Sequence, residues 1–166
     1  MKLLKAHPTP MPPIPALSLL TILVLVAPAV AGAQRYIDAN GRLRIALAKQ
    51  PFSPNGTSAG PNRMAQGGIQ DTLAGMRALV RVDEARLTAD EETEYGGWKR
   101  LSMALGHLAD MVEKNERDGY FTVGLYATCP SMPGMVAGLQ RSGPTLETIK
   151  VGMLWLDAHP DINTPE

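Results

Sequence analysis

The sequence predicts an α/β fold, in three layers, with a mainly parallel sheet and helices on both faces. Three observations lead there. Short apolar runs of strand length alternate along the chain with stretches of helical spacing, the pattern of a sheet built by crossover connections. The last such run, Val151-Gly152-Met153-Leu154-Trp155-Leu156, is apolar almost throughout, as expected of a strand covered on both faces. The chain has 166 residues, 45% apolar and 19% charged, an ordinary balance for one globular domain.

Residues 1–33 stand apart from this pattern. Lys2 and Lys5 form a short basic start, residues 17–27 are apolar apart from Ser18 and Thr21, and Ala31-Gly32-Ala33 offers a small-residue cleavage site. The run is short for a bilayer span and is followed by Pro28. Three readings stand side by side: a cleaved export signal, an uncleaved anchor, and an N-terminal extension unrelated to targeting. The first places the protein in the periplasm or outside the cell, with no stable membrane insertion after cleavage. The last leaves it cytoplasmic. Residues 34–166 form the domain.

Its elements follow in order. Leu43, Ile45 and Leu47 alternate over residues 42–48 and predict a half-buried first strand. Residues 51–60, rich in Pro, Gly, Ser and Asn, predict a loop. Ile69, Leu73 and Met76 lie at helical spacing over residues 69–77, with Gly67 and Gly68 blurring the start. Residues 78–82 predict a second strand. A long helix is expected over residues 91–114, with Trp98, Leu101, Leu105, Leu108 and Val112 as its buried stripe. Glu91, Glu92 and Glu94 suit its positive amino end. Residues 115–119 predict a polar connection and residues 121–126 a third strand. Pro130 and Pro133 introduce a helix carrying Met135, Val136 and Leu139, which Gly143-Pro144 ends.

Composition narrows the function. Sixteen basic and sixteen acidic residues balance, and no basic stripe runs along any predicted element, so nucleic acid is not an expected partner. Cys129 is the single cysteine, so no intrachain disulfide staples the fold. No phosphate-binding glycine loop is present. His107 reads as a partly exposed helix residue, and Gly96-Gly97-Trp98 as a close-packed turn.

The chemistry lies at the end of the chain. Asp157, His159 and Asp161 alternate directly after the predicted last strand, so an extended backbone points all three the same way. Two carboxylates and an imidazole suit a hard or borderline dication such as Mn²⁺. A bridging carboxylate allows a second ion, and such a pair ionises a shared water near neutral pH. The plain alternative is that a short Asp-x-His-x-Asp pattern arose by chance. In open α/β sheets ligands bind beyond the carboxyl ends of the strands. Residues 127–131 and Asp157 both fall just past predicted strand ends, on that rim.

The segment Leu154-Trp155-Leu156-Asp157-Ala158-His159-Pro160-Asp161-Ile162-Asn163-Thr164-Pro165-Glu166 resembles the second metal signature of the ureohydrolases, the arginase, agmatinase and formimidoylglutamase group. The continuation after Asp161 is most similar to the arginase branch. Gly134 and Gly138 match the spacing of the helix after the family's first signature. The resemblance covers roughly residues 42–166 and implies an arginase-like α/β domain, here its N-terminal part, with two Mn²⁺ ions in the complete site. By position, Asp157 would bridge the ions, His159 and Asp161 would bind one each, and Asn163 would contact the amino-acid end of the substrate. Two departures stand out. Cys129 occupies the place of the family's first His ligand, with Thr128 in place of the neighbouring Asp, and Cys129 is open to two readings, a ligand or an inert small side chain. The family's remaining ligands and its acid–base residues would lie beyond Glu166.

The resemblance therefore implies a metal-dependent hydrolase in which a hydroxide held by two metal ions attacks the carbon of a small guanidino or amidino substrate, with little turnover from these 166 residues alone and no certain catalytic residue within them. Homo-oligomers are compatible with it. The alternative is an exported, non-catalytic binding protein or pseudoenzyme that keeps the fold. An unrelated α/β protein with a fortuitous motif is the third reading.

Overall fold

The strand at the centre of the molecule is β1, Arg44–Gln50, and its two edges organise the rest. The computed structural model describes residues 34–143 and 149–154, and every element below belongs to one unit, Tyr36–Glu166. The leader and the Asp157–Glu166 segment lie outside the described residues.

A two-strand hairpin follows β1: β2, Phe52–Ser53, and β3, Gly56–Thr57. Helix α1, Gly60–Met64, starts with Pro61 in its first turn, where proline lacks no needed donor. The loop expected over residues 51–60 is thus largely a hairpin, and the helix expected from residue 69 begins a whole segment earlier. A wide turn, Ala65–Ile69, interrupts it, because Gly68 adopts φ 91° there. The chain resumes as α2, Gln70–Gly75, then β4, Leu79–Glu84, two residues beyond the expected end.

The long helix expected over residues 91–114 is two helices. Helix α3, Ala89–Glu92, opens with a capping box in which Thr88 accepts from the Glu91 amide and the Glu91 carboxylate accepts from the Thr88 amide. Helix α4, Gly97–Arg117, starts after Gly96 turns the chain at φ 94°. A Cβ on Gly97 would overlap the Pro54 carbonyl, so the glycine pair exists for close packing against the hairpin, as expected. Trp98 is a correction: it is 67% exposed, in the first turn of α4. The buried stripe begins one turn later, at Leu101, Ala104, Leu108 and Val112, where the helix lies on the sheet.

Helix α4 also runs on through Asn115 and Glu116, which the sequence places in a polar connection. Both are buried. Glu116 accepts from the Tyr36 hydroxyl at 2.7 Å and from the Thr122 amide at 3.2 Å, so it ties the helix end to the next strand. Strand β5, Phe121–Tyr126, falls where expected. A single 3₁₀ turn, Cys129–Ser131, leads into α5, Met132–Arg141.

The sheet order is β4-β1-β5, all parallel, with Gln50 beside Tyr126 and Lys49 beside Glu84 at the carboxyl ends. Both faces are covered. Ile45, Leu47 and Leu125 pack with Ala65, Ile69 and Leu73 on one side. Ala48 packs with Leu108, Val112, Met135 and Leu139 on the other. The three-layer parallel architecture is therefore present. One expectation is revised: β1 is buried on both faces rather than half-buried, while Leu43 stays 44% exposed just before it. A central strand between two edges and two helical layers has no wet face.

Residues 151–154, the first part of the expected last strand, have no regular structure, and Leu154 is 83% exposed. An apolar run becomes a strand only when a neighbouring edge pairs with it, and none of the described strands does so here. No helix among the described residues is long and apolar enough to cross a membrane.

Candidate functional site at the carboxyl rim

The chain leaves β1 for β4 on one side and returns from β4 to β5 on the other. The reversal falls between β1 and β5, and in open parallel sheets that switch point opens a crevice beyond the strand ends. Gln50 and Tyr126 close the two strands there, and residues 127–131 form the turn above them.

Three hydrogen bonds shape this turn. The Ala127 amide donates to the Gln50 carbonyl at 3.0 Å, which extends the β1–β5 ladder by one step. The Ser131 amide donates to the Thr128 carbonyl at 3.1 Å and closes the 3₁₀ turn. The Ser131 hydroxyl donates to Gln50 Oε1 at 3.0 Å, between two fully buried side chains. Cys129 lies at the start of this turn and is exposed at the rim.

The rim also holds buried polar atoms without partners among the described residues. Gln50 Nε2 and Tyr126 Oη are two of them, and an unmade bond at a buried donor costs about 1–3 kcal/mol. The Tyr126 ring lies back over Gly124, where a Cβ would overlap the phenol. Its burial pushes the phenol up to about 12. Tyr126 is therefore a neutral residue at ordinary pH.

Lys49 and Glu84 face the opposite layer. Lys49 Nζ lies 2.6 Å from Glu84 Oε2 and 2.5 Å from Asn62 Oδ1, and Arg86 Nε lies 2.6 Å from Glu84 Oε1. Burial alone would raise the Glu84 carboxyl, but the bonds from Lys49 and Arg86 outweigh it and hold the group below its usual value. This carboxylate is already neutralised by two cations. A cavity of about 510 Å³ opens beside it, past the ends of β1 and β4, and a second of about 520 Å³ lies along β4 and α4. Cys129 and Gln50 line neither of them.

Of the sequence-derived site residues, the structure places only Cys129. Asp157, His159, Asp161 and Asn163 lie outside the described residues. Among the described residues no three His, Cys, Asp or Glu side chains gather as a metal cluster. His107 is 35% exposed and bonded to Glu91 at 2.7 Å, which ties α3 to α4 and agrees with its reading as a helix residue. Gln50 and Ser131 escaped the sequence reading. A glutamine closing an apolar strand directly before a proline is the signal that could have found the first.

The comparisons with known proteins agree with the architecture. No family model matches the chain. It is 26% identical over 121 residues to an arginase of Emericella nidulans, a match covering 67% of this chain and 37% of the arginase. The aligned stretch thus spans little more than a third of that relative's length. The chain is distantly arginase-like, with the parallel sheet and flanking helices of a partial domain of that kind.

Proposed function

We propose that this chain belongs to a metal-dependent hydrolase of the ureohydrolase kind, acting on a small guanidino or amidino substrate. The similarity to an arginase carries this reading, and the exposed Cys129 in the turn at the sheet's switch point supports it. Asp157, His159 and Asp161 would hold the metal, and the donor set of two carboxylates and an imidazole fits Mn²⁺. Cys129 would join them from the turn after β5. Its thiolate is a softer donor and shifts the preference toward ions such as Zn²⁺ or Co²⁺. When bound, a pair of such ions supplies Lewis acidity that brings the ionisation of a water toward neutral pH. Asn163 would orient the amino-acid end of the substrate. The buried and neutral Tyr126 takes no proton in this scheme.

The experiment is release of urea or ammonia from arginine, agmatine and formimidoylglutamate with added Mn²⁺. It is run on this chain and on a version extended downstream with the further ligands the resemblance implies. The extended version is expected to give urea. No product from the extended chain overturns the hydrolase reading. Cys129 in place of a family histidine favours one second reading, a binding protein that keeps the fold without turnover. Cys129→His separates the two: a gain in Mn²⁺ affinity supports the hydrolase, and no gain supports the binding protein.

A further inference from the structure

We infer that Gln50 is a positioning residue for Cys129, and that it acts by locking the turn that carries the thiol. The inference rests on the reading of Cys129 as a metal ligand. Gln50 is fully buried at the last position of the central strand, yet it is polar. One end of its amide is bonded and the other is not. Oε1 accepts from the Ser131 hydroxyl at 3.0 Å, while Nε2 has no partner among the described residues. An apolar side chain of the same volume would remove that orphan but leave the buried Ser131 hydroxyl without its acceptor, so the amide's place here follows from its bond to Ser131. What the amide does achieve is local. Ser131 sits two residues after Cys129 in the same single turn, and the Gln50 carbonyl holds Ala127 on the other side of the thiol. Gln50 thus grips the turn before and after Cys129, once by its backbone and once by its side chain. A single 3₁₀ turn has few bonds of its own, so this grip holds the backbone that carries the thiol. Residues that orient a ligand from behind change metal affinity by about 10–100-fold when removed.

Cadmium ion alone is the probe, added to the full 166-residue chain. Cys129 is the single cysteine, so the ultraviolet thiolate-to-cadmium band reports on it alone. The unaltered chain is expected to show the band. Gln50→Met, which keeps the volume and removes the amide, is expected to weaken cadmium binding at that band by about 10–100-fold. Ser131→Ala is expected to weaken it in the same direction, because it removes the same bond. Gly138→Ala serves as the control: it crowds α4 against α5 away from the turn, so it is expected to lower stability and leave the band's affinity unchanged. Gln50→Met binding cadmium as tightly as the unaltered chain overturns the inference. Gly138→Ala weakening the band as much as Gln50→Met also overturns it, since the effect would then be general destabilisation. Absence of the band in the unaltered, folded chain overturns the reading of Cys129 as a ligand, and the inference with it. Should Gln50→Met fail to fold by circular dichroism, Ser131→Ala decides by the same criterion.

Discussion

Tyr126 shows how one side chain can be read in detail. Its hydroxyl is buried without a partner among the described residues, and its ring depends on the absence of a side chain at Gly124. Removing an unsatisfied buried hydroxyl relieves a desolvation cost. Tyr126→Phe is therefore expected to leave stability unchanged or raise it by up to about 1 kcal/mol, measured by urea unfolding. The pH dependence follows from the raised phenol. In the unfolded chain the group titrates near 10.0, and in the folded chain near about 12. As pH rises through that window the unfolded state releases its proton first. The contribution of Tyr126 is thus fully present below pH 10 and is lost as pH approaches 12. The Phe variant should lose less stability than the parent across that window.

At the scale of elements, the contact between α4 and α5 depends on two glycines. A Cβ on Gly138 would lie 2.6 Å from the Ala109 carbonyl oxygen, and one on Gly134 would lie 2.9 Å from that of Leu105. Both neighbours are helix backbone and have little room to give. Gly138→Ala should cost about 1–3 kcal/mol by overpacking. Gly106, on the exposed side of α4, has nothing within 4 Å of its Cβ position. Gly106→Ala should stabilise by about 0.5–1 kcal/mol, because it restricts the unfolded backbone at no steric cost. Thermal unfolding of the two variants, which differ by the same single methyl, is expected to move in opposite directions. The sequence alone marks all three positions as glycines in helices. Only the partner helix tells a contact from an open surface.

For the whole molecule, the covered faces of the sheet decide how charge is tolerated. Lys49 and Glu84 lie side by side on neighbouring strands, with side chains 15% and 14% exposed. Lys49→Met would leave Glu84 with Arg86, whose side chain is 76% exposed, as its cation. We expect a loss of roughly 1–3 kcal/mol at neutral pH, less than for a fully buried pair because Arg86 persists. The Glu84 carboxyl is held below its usual 4.5, so its contribution is present above that value and disappears as pH falls through the folded value. Asp118, held down by Lys114 and Arg81, adds to the same trend below 3.8. Unfolding free energy measured from pH 7 to pH 3 should therefore fall on the acid side. Glu84→Gln should flatten that fall.

The alternation of apolar runs and helical stripes determined the layer architecture, because the period of side-chain burial is written in the residues themselves. The place of β5 was legible for the same reason, while the cap at Thr88 went unread and the Gly97 packing against Pro54 needed the fold. The terminal Asp157, His159 and Asp161 set is likewise a sequence feature, and it lies outside the described residues. The tertiary structure decided what depends on neighbours far along the chain. It buried both faces of β1, left Trp98 outside, drew Asn115 and Glu116 into the helix end, and left residues 151–154 unpaired with any of the described strands. It also brought Ser131 to Gln50, eighty-one positions apart, at the base of the Cys129 turn. Burial, pairing and contact are properties of two segments at once, and a periodicity in one of them carries no information about the other.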